Sequence, residues 1–312
     1  MVAIDMDGTL VGLDGKISDR NVAALRAADR AGVEVVVATG RRHSYAMHLL
    51  HGAGLREENV LVSSNGAVMR TMGAKLLERT LLSKAASEWL CGHLGEFRNA
   101  LVITFDKVGA DGEDARGSLV VEQLEYLQAN IERWMAANAA YIVQVTPIER
   151  SLEGEEPIQM MLCGTVERMR RAEALLLADP RVAAVGATTA ISPGVEIALS
   201  RTEYPARDLS IVDILPAGCS KGAALHRLAV QQGIRPEEIL AIGDNWNDLS
   251  MLEMAGRAVL MENAPEDLKV LARERGWMIG GRHEDDAVAV AIEAALESGA
   301  AEFADPVLSR TL

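Results

Sequence analysis

The sequence predicts an α/β fold in which helices cover a mostly parallel sheet, and two observations support this class. Short apolar runs alternate with stretches whose apolar residues recur at helical spacing, a pattern typical of βαβ units. In residues 18–31, for example, Val22, Leu25 and Ala28 recur in this way behind Ser18, a favourable helix N-cap. Apolar residues make up 49% of the chain and aromatic residues only 4%, which suits buried aliphatic strands.

The length of 312 residues exceeds that of a usual single domain, so two domains are expected. The pattern changes in the middle of the chain, where amphipathic stretches alternate with short strands. There the spacing predicts helices over 84–94, 124–137 and 166–178, and strands over 101–105, 142–145 and 159–163. The Gly- and Asp-rich stretch 109–114 is predicted to be a loop with solvated carboxylates. We therefore predict a core domain of residues 1–82 and 208–312, with an α+β cap domain of residues 83–207 inserted into it.

Two carboxylates, Asp5 and Asp7, stand two residues apart directly after the apolar run 2–4. Gly8 breaks the strand there, so the pair is predicted at the point where the first strand becomes a loop. Catalytic groups of α/β proteins collect at this carboxyl edge of the sheet, and two carboxylates can divide the roles of nucleophile and acid/base. Taken alone, the pair fits a solvated acidic turn better, but other polar motifs decide against that alternative.

Three more polar motifs adjoin predicted strands or a predicted helix start. Because the carboxyl ends of parallel strands meet at the same edge of a sheet, we expect these motifs to converge there. The residues concerned are Thr39 and Gly40 after the run 33–38, Lys221 within Ser220-Lys221-Gly222, and Asp244, Asn247 and Asp248 after the run 239–242.

In their order, these motifs resemble the four motifs of the haloacid dehalogenase superfamily. Two further stretches, Ser-Ser-Asn-Gly-Ala at residues 63–67 and Asn-Ala-Pro at residues 263–265, are similar to the Cof-type branch, subfamily IIB. That branch inserts a large C2-type cap between the second and third motifs, and the segment between Thr39 and Lys221 leaves room for one. The resemblance implies a Rossmann-like, doubly wound core sheet with an inserted α+β cap. One departure is Arg42, which stands where proline is common.

The resemblance assigns catalytic roles to both opening carboxylates. Asp5 would be the nucleophile that forms an aspartyl-phosphate, and Asp7 would protonate the leaving alkoxide and then deprotonate the attacking water. The dehalogenases lack the second aspartate, so Asp7 argues against carbon–halogen chemistry.

A carboxylate and a phosphate need a counter-charge to approach each other. The implied cofactor is Mg²⁺, bound by Asp5, Asp244 and the backbone carbonyl of Asp7.

The remaining motif residues are expected to hold the phosphoryl group. The implied phosphate ligands are Thr39, the amide of Gly40, Lys221 and Asn247. Asp248 is expected to orient Asp244 or Lys221 without binding the metal itself. Trp246 could stack on the substrate or brace the cap, and packing against the core is an equal alternative.

Charge and composition exclude several classes of partner. The net charge of −14 and an isoelectric point near 5.0 argue against nucleic acid as a bound polymer. No apolar run reaches the roughly 18 residues needed to span a bilayer, and the first apolar run ends at Asp5, too early for a cleavable signal peptide. We therefore expect a cytoplasmic protein with no membrane partner. The three cysteines lack metal-site spacing, and the oligomeric state cannot be read from the sequence.

The sequence thus predicts a Mg²⁺-dependent phosphatase that acts on a small phosphorylated metabolite, either a sugar phosphate or a cofactor monophosphate. A phosphosugar mutase resembling the phosphomannomutases is one alternative. A catalytically silent binding protein on the same fold is another, which the intact motif residues disfavour.

Overall fold

Two sheets and the helices around them form the structure, a computed structural model that describes residues 1–12, 15–123, 129–185 and 193–304. In chain order the strands are β1 (Val2–Asp5), β2 (Val35–Ala38), β3 (Val60–Ser63), β4 (Val68–Thr71), β5 (Leu76–Arg79), β6 (Leu101–Thr104), β7 (Leu119–Val121), β8 (Ile142–Gln144), β9 (Gln159–Gly164), β10 (Val182–Ala184), β11 (Ile197–Tyr204), β12 (Leu209–Pro216), β13 (Leu240–Gly243), β14 (Arg257–Leu260) and β15 (Met278–Ile279). The helices are α1 (Asp19–Arg30), α2 (His43–Leu50), α3 (Lys84–His93), α4 (Ala129–Asn138), α5 (Val166–Leu177), α6 (Lys221–Gln232), α7 (Leu249–Met254), α8 (Glu266–Arg275) and α9 (Ala287–Ala304).

The first sheet has the strand order β15-β14-β13-β1-β2-β3-β4-β5. The strands from β15 to β3 pair in parallel, whereas β4 and β5 add in antiparallel fashion. β1 lies between β13 and β2, so the chain order of the strands reverses at β1. Such a reversal opens a crevice at the carboxyl ends of the strands, where ligands bind in open α/β sheets. The ends of β1, β2 and β13 therefore surround one crevice.

Helices cover both faces of the first sheet. Apolar side chains of α1, α2 and α9, among them Leu25 and Ile292, pack on one face. Side chains of α6, α7 and α8, among them Leu225 and Leu268, pack on the other. This arrangement confirms the predicted doubly wound α/β core.

The second sheet, with the strand order β10-β11-β12-β9-β6-β7-β8, belongs to the cap. Leu90 of α3 and Leu176 of α5 are buried in the cluster on one of its faces. Trp134 and Met135 of α4 pack on the other face. The cap is therefore an α+β unit, as predicted.

The cap sheet extends further along the chain than expected. β12 pairs with β11 and β9, so the predicted boundary after residue 207 is wrong, and the cap sheet ends at Pro216. The turn Pro205–Arg207, followed by Asp208 with φ of 43°, is the tip of the β11–β12 hairpin. Hairpin tips and linkers both use turn-forming residues, which is why the sequence alone did not distinguish them.

The predicted elements can be compared with the structure one by one. Ser18 caps α1 as predicted, because its Oγ accepts a hydrogen bond from the amide of Asn21 at 3.1 Å. α3, α5, β6, β8 and β9 begin and end within one residue of their predicted ranges. For the helix predicted over 124–137, residues 124–128 lie outside the described residues, and α4 accounts for the rest. Each helix in the described ranges is too short or too polar to cross a bilayer.

Candidate active site

A buried lysine joins two of the predicted acidic residues. Lys221 is the first residue of α6, whose N-cap Ser220 accepts a hydrogen bond from the amide of Ala223. The Lys221 side chain is fully buried, and its Nζ donates to Asp5 Oδ1 at 2.5 Å and to Asp248 Oδ1 at 2.6 Å. Burial opposes the charge on Lys221, but the two carboxylates outweigh it and raise the lysine pKa. Lys221 is therefore a fixed cation beside the end of β1.

Asp248 shapes the loop that follows β13. Its Oδ2 accepts hydrogen bonds from the backbone amides of Asp244 at 2.9 Å and Asn245 at 3.0 Å. Residues Trp246–Asp248 form a single 3-10 turn, so Asp244 lies in the loop before it and not on a helix. Asp248 thus engages Lys221 with one oxygen and the loop with the other, which fits the predicted orienting role.

Asp244 closely approaches the loop after β1. Gly8 has φ of 82°, and a Cβ at this position would lie 2.3 Å from Asp244 Oδ2, so glycine is required there. Asn263 Nδ2 bridges the two segments by donating to Asp244 Oδ2 at 3.0 Å and to Gly8 O at 2.8 Å. His283 Nδ1 lies 3.2 Å from Asn263 Oδ1. Sequence reasoning missed the bridging role of Asn263, for which the Asn-Ala-Pro motif was the available signal.

The carboxylates at this edge outnumber the cation between them. Asp5, Asp244 and Asp248 each place one carboxylate oxygen within 4.8 Å of the others, so the fully ionised cluster has two negative charges more than Lys221 neutralises. Burial, and after it the neighbouring carboxylates, raises the pKa of Asp5 and Asp244. A buried excess of negative charge on oxygen ligands fits a hard divalent cation such as Mg²⁺. Because Asp248 is already engaged, Asp5 and Asp244 are the side chains that can bind it.

Asp7 faces the same crevice but is held by an arginine. Arg41 Nε donates to Asp7 Oδ2 at 2.8 Å, and Arg41 Nη2 donates to Asp7 Oδ1 at 2.5 Å. The guanidinium also lies over the ring of Tyr45, 4.5 Å from its centroid. The Asp7 side chain is 34% exposed, whereas that of Asp5 is buried. The two opening carboxylates therefore have different environments.

The predicted phosphate ligands other than Lys221 lie at the end of β2 and in the loop after β13. Thr39 is fully buried, and its Oγ1 accepts a hydrogen bond from the Arg41 amide at 3.1 Å. Gly40 lies against Asn65, whose Nδ2 would be 3.1 Å from a Cβ on Gly40. Asn247 Nδ2 donates to Asn65 Oδ1 at 3.2 Å. Asn65, in a left-handed conformation with φ of 49°, is a second linking residue that sequence reasoning missed.

A cavity of about 220 Å³ separates this edge of the core from the cap sheet. Its core side is lined by Asp5, Asp7, Gly40, Asp244 and Asn247. Its cap side is lined by polar Thr104, Gln159, Thr202 and Asp213 and by apolar Trp134 and Met161. The predicted site residues thus meet at one cavity, with Lys221, Asp248 and Thr39 buried next to its lining.

Arg42 crosses from the core to the cap. It is buried, pairs with Asp114 through Nη1, and donates from Nη2 to Asn138 Oδ1 at 2.6 Å. Ser44 Oγ also donates to Asp114. The prediction that the carboxylates of residues 109–114 face solvent is therefore wrong for Asp114, which is buried because a guanidinium from the core reaches it.

Trp246 braces the cap. It is absent from the cavity lining that the described residues form. Its ring packs beside the buried cluster of the core, and the Arg201 guanidinium of β11 lies 5.6 Å from its centroid. The preceding Asn245 accepts from the Glu203 amide at 3.2 Å and donates to the Glu203 carbonyl at 3.1 Å. The loop after β13 is thus attached to the cap strand β11.

Comparison with known proteins places the chain in a family. Residues 2–292 of the chain match the family of haloacid dehalogenase-like hydrolases. Phosphatase YwpJ of Bacillus subtilis (strain 168) is 31% identical over 281 residues, covering 87% of this chain and 92% of the relative. The 5-amino-6-(5-phospho-D-ribitylamino)uracil phosphatase YwtE of the same strain is 28% identical over 303 residues, covering 94% of this chain and 96% of the relative.

A solved structure shares the fold. A haloacid dehalogenase-like hydrolase from B. subtilis superimposes with a TM-score of 0.71 at 23% identity, covering 94% of this chain and 98% of that one. The family match spans nearly the whole chain and includes all the motif residues described above. The chain therefore belongs to the haloacid dehalogenase-like hydrolases, and it is an enzyme of their Cof-type phosphatase branch.

Proposed function

We propose that the enzyme hydrolyses the phosphate monoester of a small metabolite, a sugar phosphate or a cofactor monophosphate, with Mg²⁺ and an aspartyl-phosphate on Asp5. One observation carries the proposal. Buried Lys221 lies between Asp5 and Asp248 at the strand-order reversal, with Asp244 beside them. A fixed cation next to a carboxylate-rich crevice is what phosphoryl transfer to a carboxylate requires.

The residues that would hold Mg²⁺ are Asp5, Asp244 and the backbone carbonyl of Asp7. When bound, the ion offsets the repulsion between the nucleophilic carboxylate and the phosphate dianion. The excess of buried carboxylates supports this assignment.

In the first step, Asp5 attacks phosphorus, the bond from phosphorus to the ester oxygen breaks, and Asp7 donates a proton to the leaving alkoxide. In the second, water attacks the phosphorus, Asp7 takes its proton, and inorganic phosphate leaves as the Asp5 carboxylate is restored. Asp7 has to part from Arg41 to act in this way. An incoming phosphate draws Arg41 toward itself, because guanidinium groups bind phosphate well.

The phosphoryl oxygens are assigned to Thr39, the Gly40 amide, Lys221 and Asn247. Asp248 keeps Lys221 charged and in place, so it acts through its neighbours. Charge-assisted donors aimed at the transferring group stabilise the transition state by several kcal/mol in aggregate, on the order of 3 kcal/mol for one well-placed donor.

The named activity of a relative supports the substrate class. YwtE is a phosphatase of a phosphoribitylamino-uracil, a small phosphorylated metabolite. We propose the same substrate class, small phosphorylated metabolites, for this chain, but not the same compound. A soluble metabolite as substrate also favours the cytoplasmic location predicted from the sequence.

Hydrolysis of p-nitrophenyl phosphate with and without Mg²⁺ tests the proposal. We expect turnover with Mg²⁺, loss of activity with EDTA, and poor replacement by Ca²⁺, whose larger and looser coordination shell misplaces the nucleophile. Asp5→Asn should be inactive, whereas Asp19→Asn, which alters an exposed carboxylate on α1, should match wild type.

Full activity after metal removal contradicts the Mg²⁺ assignment. Inactivity of the wild-type enzyme under all of these conditions favours the silent binding protein. Transfer of labelled phosphate to a second sugar in preference to water favours the mutase.

A further inference from the structure

A second cavity lies between the core and the cap, apart from the active site. It has a volume of about 320 Å³, and within the described ranges it shares no lining residue with the active-site cavity. Its core side is formed by α2, by residues 55–57 after this helix and by the turn 72–74 between β4 and β5. Its cap side is the loop 110–113 between β6 and β7. A volume of this size is typical of sites for small molecules, and a ligand there would contact both domains.

The cap loop connects the second cavity with the active site. At one edge of the second cavity, Gly112 lies so close to Ala74 of the core turn that a Cβ on the glycine would be 3.5 Å from the Ala74 Cβ. At the end of the same loop, Asp114 pairs with Arg42, which lines the active-site cavity. A ligand that holds this loop against the core therefore also holds the cap over the active site.

The wall of the second cavity contains a histidine with unsatisfied polar atoms. His43 lines the cavity and is 2% exposed. Neither ring nitrogen has a hydrogen-bond partner in the part of the chain that the structure describes. Burial, and after it the charge of Arg70, lowers the His43 pKa to about 4, so at neutral pH the ring offers one N–H donor and one acceptor.

A buried polar group without a partner is costly, because it has lost its hydrogen bonds to water. The Cβ–Cγ torsion of a histidine is soft, so a turn of the ring can bring a nitrogen of His43 to a ligand in the cavity. The missing partner can therefore come from the ligand.

The rim of the second cavity is acidic. It is formed by exposed residues, Glu57 of the core and Asp111 and Glu113 of the cap loop, together with His51 at the end of α2. Among the lining residues that the structure describes, none is a lysine or an arginine. Three carboxylates at one opening attract a cation.

The rest of the core wall is apolar. Met47, Leu50 and Met72 are buried there, and Leu55 is half-buried. Such a surface packs well against hydrocarbon. The second cavity thus combines carboxylates at its rim, an apolar wall and one unsatisfied imidazole.

We propose that the second cavity is an effector site for a small amino alcohol, which holds the cap closed when it binds. The ammonium group binds at the rim carboxylates, and the hydrocarbon chain packs on the methionine and leucine side chains. The hydroxyl group bonds to His43, because a hydroxyl can serve either ring nitrogen as donor or acceptor. A ligand that contacts both domains favours the closed state over the open one. The site is separate from the proposed phosphatase chemistry.

Three related compounds test binding to the wild-type enzyme. 5-Aminopentanol has both polar groups, pentylamine lacks the hydroxyl group, and pentane-1,5-diol lacks the charge. By isothermal titration calorimetry, we expect a Kd of about 1 mM or lower for 5-aminopentanol, as suits a ligand of few atoms. Pentylamine and the diol should each bind about 5- to 10-fold more weakly, the effect of losing one hydrogen bond or one ion pair.

Single substitutions locate the bound compound. Glu57→Gln should weaken 5-aminopentanol by about 3-fold, and His43→Phe should abolish its preference over pentylamine. Glu58→Gln is the matched control, because Glu58 is exposed beside Glu57 but is absent from the lining that the described residues form. Glu57→Gln alters an exposed residue, so it tests the site even if His43→Phe fails to fold.

The effector role has its own measurement. Saturating 5-aminopentanol should lower the KM for p-nitrophenyl phosphate by about 5-fold, because a ligand that favours the closed cap also favours bound substrate. The same concentration should have a smaller effect on Glu57→Gln than on Glu58→Gln.

The outcomes separate this inference from the proposed function. Equal affinities for the three compounds, or equal affinities of Glu57→Gln and Glu58→Gln for 5-aminopentanol, overturn the site. An unchanged KM overturns the effector role, and a raised KM shows that the amine competes for the active-site cavity, which overturns the inference as well. Binding is measured without turnover, so an inactive wild-type enzyme contradicts the phosphatase function and leaves the binding test valid.

Discussion

Asp5 and Asp7 are close in the chain but have different partners in the fold. Asp5 is buried against Lys221, whereas Asp7 is partly exposed and paired with Arg41. This difference is compatible with the proposed roles, in which Asp5 attacks phosphorus and Asp7 transfers the proton. The assignment can be tested by trapping the intermediate.

The first prediction concerns the phosphoenzyme. Asp5→Asn should form none, because the nucleophile is lost. Asp7→Asn should accumulate phospho-Asp5 with p-nitrophenyl phosphate, since this leaving group needs little protonation while the hydrolytic step still lacks its base. Mass spectrometry of acid-quenched samples should place the added phosphoryl group on the peptide with Asp5. Phosphorylation and full turnover of Asp5→Asn would show that the nucleophile is elsewhere.

A second prediction concerns Gly8. In Gly8→Ala, the new Cβ would meet Asp244 Oδ2 at 2.3 Å, which displaces one of the proposed metal ligands. We expect kcat/KM to fall by roughly 100-fold, in the range seen when a preorganised electrostatic group is removed. Gly32→Ala is the control, because Gly32 also has positive φ, at 76°, but has nothing within 4 Å of the added Cβ. Equal activities of the two variants would contradict the expectation.

The sequence predicted the motif residues because their spacing and order carry the signal. It did not predict Gln159 and Asp213, which belong to cap strands without a recognisable motif. Their relationship depends on the pairing of β9 with β12, which brings together residues 54 positions apart in the chain. Patterns of apolar residues predict that a strand exists but do not indicate its partner.

At the scale of single elements, α2 contains an unusual histidine. His43 begins the helix and is buried, and neither ring nitrogen has a hydrogen-bond partner in the described ranges. Burial, with the nearby Arg70 charge, lowers the His43 pKa to about 4, partly offset by Asp106. The unfolded chain has the usual histidine pKa of about 6.5. Between these two values the unfolded state binds more protons than the folded state.

A third prediction follows for stability against pH. Protonation of His43 in the unfolded chain lowers the free energy of unfolding. This loss is absent above about pH 6.5 and grows as the pH falls toward 4, by at most about 1.4 kcal/mol per pH unit. His43→Met should reduce the acid-induced loss in the free energy of unfolding measured with urea between pH 6.5 and 4.5. His48→Gln, in the same helix but with a side chain 49% exposed, should behave as wild type. Identical pH profiles for wild type and His43→Met would contradict the assignment.

Element prediction was accurate where helical or alternating periodicity was strong, as in α1, α3 and α5. It was wrong in grouping β12 with the core, because the hairpin tip Pro205–Arg207 has the composition of a linker. Sheet membership depends on non-local hydrogen bonds, which local composition does not encode.

At the scale of the whole molecule, several polar contacts join the core to the cap. Arg42 with Asp114 and Arg70 with Asp106 are buried ion pairs between the domains. The residues of these pairs are 72 and 36 positions apart in the chain. No motif relates such distant positions, so the sequence predicted two domains and their order but not how they are held together.

A fourth prediction concerns closure of the cap. Arg42→Met leaves Asp114 buried without its cation, which costs about 3–5 kcal/mol in comparable pairs. If the cap opens to hydrate Asp114, small-angle scattering should show a larger radius of gyration, and KM should rise. Asp114→Asn added to Arg42→Met should partly restore both values, and Arg30→Met, which alters an exposed residue at the end of α1, should change neither. Unchanged scattering, KM and melting temperature in Arg42→Met would contradict a clamping role.

The position of β12 also limits how caps can be exchanged between related enzymes. A chimera joined at residue 207 would divide the β11–β12 hairpin, so that Gln159 and Asp213 would come from different enzymes. A transplant of residues 83–216 would transfer both residues together. The residue at the position of Asn65, which orients Asp213, would still come from the recipient enzyme. The hydrogen bond between Asn65 and Asp213 would therefore form only in recipients that have an asparagine at that place, so the transplanted cap depends on the receiving core for one of its own buried contacts.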